Sequence, residues 1–530
     1  KIFVAQKLLG NHNAMCKAQR RILWNVCDRH TKFGSVSDCR TDLFAGLTND
    51  DPDLGDPRLG HGLDAVKQNG LVGYGHQLLG TGVRNWSQTR ASTTRENQAL
   101  HTDYRLGEIS TRAPCSLTLP TSVIAMTDAL LHAFAKPTKT DFVRIVRGKG
   151  SLLWDDKGNE YIDGIGSLWY SQVGHGRDEI AQAVAEQIST LETYSTFDPF
   201  SNDIAEKLAA KLQTISPMKD ARVFLCGSGS ESVDTAMKLA RVAQVQAGHP
   251  ERTIIISRMR GYHGTNYGGT SAQGLPLNKV GFGQLLPEVV QVDSDNIEDL
   301  AKFMSENSSR IAAVIVEPLQ GAGGVWPPAP GYLESARKLC DQHGAFLIFD
   351  EVISGFGRMG TWFAANFYNV APDLLCFAKG VTSGYQPLGG VFVSRKVCDA
   401  LESDPNFFLR HGYTYSGHSA VCAAALKNLE IIEREGLMER AKHIGAVLSA
   451  GLTALAKDGT IDHVRGDGAV WAAGLKPDQN AVAIRDRMIQ LGSIARAINT
   501  DTIAFCPPLV ITDAELGRLI DAFAAAAQGK

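Results

Sequence analysis

The chain has 530 residues, of which 53 are Lys or Arg and 56 are Asp or Glu, leaving a formal charge of only −3. That balance disfavours nucleic acid or an anionic membrane as the main partner, and an apolar content of 44% excludes a chain that is disordered throughout. No stretch approaches the roughly 18 apolar residues of a membrane span, so a soluble protein is expected.

Residues 1–125 carry no sustained period of 2 or 3.6. Runs such as Thr48-Asn-Asp-Asp-Pro-Asp-Leu-Gly-Asp-Pro57 are polar and turn-forming. They read as an extension without a fold of its own: a non-native or mistranslated upstream segment, or a disordered or targeting leader. A genuine extra domain is the third reading. From Met126 onward the pattern becomes regular. Residues 151–155 and 160–163 flank Asp156-Lys-Gly-Asn159 as strand, turn and strand, and residues 178–191 repeat as a helix. Apolar strands at 222–225, 253–257, 312–316, 345–349 and 374–377 then alternate with helical stretches at 232–244 and 332–343. Continuous apolar strands alternating with helices predict a mostly parallel sheet covered on both faces. Long helices follow at 419–435 and 437–456, then short strands, and Thr512-Asp-Ala-Glu515 is a capping box that opens the last helix. The ten cysteines include no C-x-x-C pair, so no metal site is expected; they suit buried thiols in a reducing, cytoplasmic setting.

Three features carry chemistry. Cys226-Gly-Ser-Gly-Ser-Glu231 joins a strand to a helix, where glycines let the backbone approach an anion and the helix N-terminus supplies free N–H groups. It is neither G-x-G-x-x-G nor a P-loop, so a mononucleotide is not favoured. Asp350 ends one apolar strand and Lys379 follows another, which places both at the C-terminal edge of the sheet. An acid and a lysine beside a helix-bound phosphate are what a pyridoxal phosphate enzyme needs.

Phe349-Asp-Glu-Val-Ile-Ser-Gly-Phe-Gly-Arg358, Phe377-Ala-Lys-Gly-Val-Thr-Ser-Gly-Tyr385, Tyr262-His-Gly264 and Gly412-Tyr-Thr-Tyr-Ser-Gly-His418 together resemble the class III, pyridoxal-phosphate-dependent aminotransferases. The resemblance runs from about residue 127 to the C-terminus. It implies an α/β protein of fold type I, with a large cofactor domain at 188–413. A small α+β domain would be built from both ends of this part, 126–187 and 414–530. It also implies a homodimer with active sites at the interface, whose dimers could pair into tetramers.

Carried over by motif, Lys379 would be the lysine that joins the cofactor covalently and later carries the proton, and Asp350 would pair with the pyridine nitrogen. Tyr262 and Val352 would press on the two ring faces, with His263 of the same Tyr-His-Gly motif among the cofactor contacts. Gly229 and Ser230 would donate to the phosphate, and Thr414 would reach the phosphate of the neighbouring subunit. His132-Ala-Phe134 and Gly166-Ser-Leu-Trp169 resemble the aromatic wall of the β-alanine/amine:pyruvate (ω-) transaminase group, and Arg496 stands where related enzymes pair with a substrate carboxylate. The resemblance therefore implies a ping-pong exchange, through pyridoxamine phosphate, between an ω-amino acid or amine donor and a keto acid, with pyruvate expected. Diaminopelargonate-type transaminases and aminomutases of the same fold are the alternatives.

Overall fold

A computed structural model describes residues 129–529; the readings made for 1–125 lie outside them. The described chain opens with strands β1 (Ile145–Lys149), β2 (Leu152–Asp155) and β3 (Glu160–Asp163), which pair antiparallel in that order. Asp155 fixes the turn between β2 and β3, accepting from Lys157 N at 3.0 Å and Asn159 N at 2.8 Å. Helices α1 (Asp178–Leu191) and α2 (Asp203–Ile215) lead into a seven-stranded sheet in the order β4-β10-β9-β8-β7-β5-β6. Its strands are β4 (Arg222–Cys226), β5 (Ile254–Arg258), β6 (Val289–Val292), β7 (Ile311–Val316), β8 (Phe346–Asp350), β9 (Leu374–Phe377) and β10 (Gly389–Val393). Only β10 runs antiparallel to its neighbours. The expected mostly parallel sheet is therefore present, with every residue of β5, β7, β8 and β9 buried.

Alternation along these strands sorts the core onto two faces. Ala313, Ile315, Ile348 and Val391 pack with Val233, Ala236 and Leu239 of α3 (Gly229–Gln246). Val314, Val316, Leu347 and Phe349 point the other way, into a cluster holding Leu333 and Ala336 of α4 (Tyr332–His343). The same cluster takes in Leu429 and Ile432 of α5 (Ser419–Arg434), and Ile444 and Leu448 of α6 (Leu437–Lys457). A strand covered on both sides has no polar face to show, which is why these segments read as unbroken apolar runs.

The C-terminal part forms a four-stranded antiparallel sheet, β11 (His463–Asp467), β12 (Val470–Gly474), β15 (Thr502–Phe505) and β14 (Arg496–Ile498). It also carries α7 (Ala481–Gln490) and α8 (Asp513–Ala527), the latter opened by the expected capping box of Thr512 and Glu515. Strand β13 (Ser493–Ile494) pairs parallel with β3, which joins the two ends of the described chain in one sheet. Among the described residues no helix is long and apolar enough to cross a membrane.

Candidate functional site

Strand β4 delivers the chain to α3 through a turn whose caps are already in place. The Ser228 hydroxyl accepts from Glu231 N at 3.2 Å, and the Glu231 carboxylate accepts from Gly227 N at 2.6 Å. The first-turn amides of Gly229 and Ser230 have no intrahelical carbonyl to bond. They sit at the positive end of an 18-residue helix. A Cβ on Gly229 would lie 2.9 Å from Val352 Cγ1, so only glycine leaves the backbone open at that point. Ser230 is tied to the next loop, its hydroxyl accepting from Thr265 N at 3.0 Å.

Asp350 is the last residue of β8 and is buried. Its Oδ2 lies 2.8 Å from His263 Nδ1, and its Oδ1 accepts from Val352 N at 3.2 Å. A carboxylate can only accept, so Nδ1 carries the proton, and His263 Nε2 is left buried without a partner among the described residues. Beside this pair lies Glu317, which follows β7 as Asp350 closes β8. It accepts from Tyr262 N at 2.8 Å and Gly321 N at 2.9 Å, and burial pushes its carboxyl up. Glu317 lines the cavity and was not singled out from the sequence. The signal that marked Asp350, an acid at the end of an apolar strand, marks it equally.

Lys379 follows β9 in a left-handed turn, with φ 47°. Its ammonium makes no hydrogen bond or ion pair with any described residue. Burial pushes it from 10.5 down to about 8, against the pull of Asp350 and Glu317. The side chain keeps one open side, toward a cavity of about 550 Å³. Around that cavity the fold also gathers Gly229, Ser230, Tyr262, His263, Asp350 and Val352. Burial and the Asp350 charge push the Tyr262 phenol up.

The far wall is apolar and aromatic, with one cation. Trp169 is 2% exposed, in a kinked turn whose Ser167 N donates to Asp163 Oδ2 at 2.8 Å. Phe134 lines the same opening but is 75% exposed. Arg496, the first residue of β14, is half-buried at the cavity wall rather than free on the surface past α7. Burial pushes its guanidinium down, and it makes no hydrogen bond or ion pair among the described residues. Thr414 does not reach this cavity; it is exposed in the loop before α5.

A ring nitrogen needs an acid that accepts in a dry place, a phosphate needs free amides, and a covalent link needs an amine that can lose its proton. Asp350, the N-terminus of α3 and Lys379 meet these needs around one cavity, so the residues present fit pyridoxal phosphate. No group of His, Cys, Asp and Glu among the described residues is arranged to hold a metal ion.

Residues 133–527 match the family model for class III aminotransferases. The chain is 37% identical over 412 residues to a β-alanine–pyruvate aminotransferase of Pseudomonas aeruginosa, covering 73% of this chain and 92% of that one. It is 34% identical to an ω-amino acid–pyruvate aminotransferase of Pseudomonas putida, covering 71% and 90%. An amine transaminase from an uncultivated Pseudomonas species, solved with pyridoxal phosphate bound, superposes with a TM-score of 0.72 at 36% identity, over 75% of this chain and 97% of that one. The fold, the cavity and these likenesses agree: the chain belongs to the class III aminotransferases and is a pyridoxal-phosphate-dependent transaminase of fold type I.

Proposed function

We propose that the enzyme moves an amino group from ω-amino acids and simple amines to pyruvate. One observation carries the substrate assignment: Arg496 faces the Lys379 cavity as a cation unpaired among the described residues, beside the aromatic wall of Phe134, Trp169 and Tyr262. A guanidinium without a partner is a waiting fork for a carboxylate, and an apolar wall accepts an amine that has none. The names of the relatives, β-alanine–pyruvate and ω-amino acid–pyruvate aminotransferases, support the same reading.

Pyridoxal phosphate, when bound, supplies the electron sink that makes the substrate C–H bond acidic. The first-turn amides of Gly229 and Ser230 hold its phosphate. Asp350, braced by His263, would keep a proton on the pyridine nitrogen, and Tyr262 and Val352, which line the same cavity, would hold the ring. Lys379 Nζ takes the proton from the carbon that bears the nitrogen, and in the opposite half-reaction returns a proton to the keto carbon. That requires a neutral amine, and burial, by pushing the ammonium down to about 8, brings that form within reach near physiological pH. The buried Trp169 shields its side of the cavity from water.

Thr414 acts on the phosphate of a second copy, so the working enzyme is a homodimer. The loop that carries it is braced by Thr196 Oγ1 donating to Ser416 O at 3.0 Å and Asn202 Nδ2 donating to Gly417 O at 2.9 Å. Tyr194, Phe197, Phe200, Phe408 and Tyr415 leave an exposed apolar patch around it, of the kind that a subunit interface covers. The chain segments 126–187 and 414–530 then form the small domain around 188–413. The buried free cysteines, with Cys340 pushed up to about 12 by burial, suit the reducing cytoplasm.

The test pairs the holoenzyme with single donors (β-alanine, 1-phenylethylamine and S-adenosylmethionine) and either pyruvate or 2-oxoglutarate. Alanine should form from pyruvate with the first two donors. Turnover supported by S-adenosylmethionine alone, or proceeding with no keto acid added, would refute the assignment.

A further inference from the structure

Outside the cavity, three side chains join the elements that form two of its walls. The Trp326 ring has the Arg260 guanidinium 4.6 Å from its centroid and the Arg465 guanidinium 3.9 Å from it. Arg260 lies two residues before Tyr262 and is held by Asp295 at 2.8 and 2.7 Å. Trp326 closes a small hairpin on Gln320, with backbone bonds of 2.8 and 3.0 Å, and Gln320 Nε2 donates to Met259 O at 2.8 Å. The same segment begins at Glu317, whose carboxylate accepts from Tyr262 N. Hairpin and Tyr262 loop are thus one unit, with Trp326 at its outer end.

Arg465 belongs to the other wall. It projects from β11, donates through Nε to Gly324 O at 2.8 Å and through Nη2 to Thr502 Oγ1 at 2.7 Å. Thr502 opens β15, which pairs directly with β14, Arg496 standing opposite Ala504. Among the described residues no carboxylate forms an ion pair with Arg465. Its guanidinium is met by the Gly324 carbonyl, the Thr502 hydroxyl, His463 Nε2 at 2.6 Å from Nη1, and the Trp326 face, and cation–π contact of this kind is strongest where water is partly excluded.

We propose that Trp326 is a positioning residue for substrate selection: by stacking on Arg465 and Arg260 together, it sets the spacing between the Tyr262 wall and the strand that carries Arg496. The proposal rests on the assignment of Arg496 to the substrate carboxylate. A carboxylate between two fixed walls is sensitive to their separation, because a forked pair of charge-assisted hydrogen bonds needs both length and angle. A donor with no carboxylate uses the aromatic wall and is less sensitive. Trp326 therefore acts through Arg496 and touches no substrate itself.

The readout is the ratio of kcat/KM for β-alanine to kcat/KM for 1-phenylethylamine, measured on holoenzyme. Trp326→Ala should lower this ratio about tenfold, mainly through the KM for β-alanine, and Trp326→Phe, which keeps an aromatic face, should restore most of it. In an Arg496→Ala background the Trp326→Ala change should leave the ratio within about twofold, because residues acting as one unit are not additive. Should Trp326→Ala fail to fold, Arg465→Lys is read in the same way, since it keeps the charge and loses the flat, forked group. An unchanged ratio in the single variant, or losses that simply add in the double variant, overturns the role of Trp326. If Arg496→Ala alone leaves the ratio unchanged, the carboxylate assignment fails instead.

Discussion

Replacing Lys379 by Met tests both its chemistry and its burial. The lysine ammonium is pushed from 10.5 down to about 8 by burial, a gap of about 2.5 pH units, or about 3 kcal/mol. That figure is a ceiling, because one side of the chain stays open to the cavity. The sign follows from which state binds more protons. Below pH 8 the lysine is charged in both folded and unfolded chains, and the folded apoprotein carries the full cost of holding it dry. Between 8 and 10.5 the folded chain sheds the proton first, so the cost fades and stability rises with pH. Met has similar length and no charge. The apo Lys379→Met variant should therefore be more stable than apo wild type at pH 7 by up to about 3 kcal/mol, with the gap closing toward pH 10.5. Denaturant midpoints of the two apoproteins at stepped pH measure this directly, since every other titrating group cancels in the difference. Turnover of the same variant with cofactor should fall by several orders of magnitude. Parallel stability curves would show that the ammonium is not held dry, and retained turnover would show that another lysine does the work.

Asp350→Asn keeps the shape and removes the charge, so cofactor retention, followed by absorbance, should survive better than turnover; equal losses would mark Asp350 as structural. Arg496→Ala should weaken use of pyruvate and β-alanine by about 10–150-fold, the cost of about 1.5–3 kcal/mol for a lost charge-assisted pair, while sparing the half-reaction with 1-phenylethylamine. A uniform loss on both substrate kinds would point to misfolding. Lys379→Ala and Thr414→Ala chains should each be impaired alone and regain activity when mixed, because a mixed dimer holds one cavity with both residues intact; no recovery on mixing and re-association would refute a shared site.

Much of the fold was legible because its strands are dry on both faces. Residues 374–377 and 332–343 form the elements their patterns predict, and residues 222–225, 312–316 and 345–349 fall within one residue of strands in the structure. The strands that sequence reasoning did not find are those whose pattern is diluted. β1 is largely exposed, and β6 is half-buried with a glutamine in it. β10 begins with two glycines that read as a turn, yet a Cβ on Gly390 would lie 2.4 Å from Phe377 Cζ, so there glycine is a packing requirement. At the site, Asp350 and Lys379 were legible from strand ends. Glu317 carries the same mark, but lies in no quoted motif. The His263–Asp350 bond is not legible, because a sequence separation of 87 reveals no distance in space. The stack of Arg260, Trp326 and Arg465 is hidden for the same reason, since its members come from three separate segments.

The charges of the cavity are arranged so that its two cations stay unclaimed. Asp350 and Glu317 line the same space as Lys379 and Arg496, yet neither acid forms an ion pair with either cation. Asp350 is taken by His263 Nδ1 and Val352 N, and Glu317 by Tyr262 N and Gly321 N. A carboxylate with one fixed donor on each oxygen attracts a nearby cation without needing to collapse onto it, and Asp350 still has acceptor sites left for a ring nitrogen. Had either acid been left bare, a salt bridge to Lys379 would have pulled the ammonium up and held its proton, and one to Arg496 would have closed the fork to substrate. The backbone and His263 therefore do for the acids what substrate and cofactor must do for the cations. Lys379 thus stays unbridged, and burial, the largest influence on it, pushes its ammonium down to about 8 against the pull of both carboxylates.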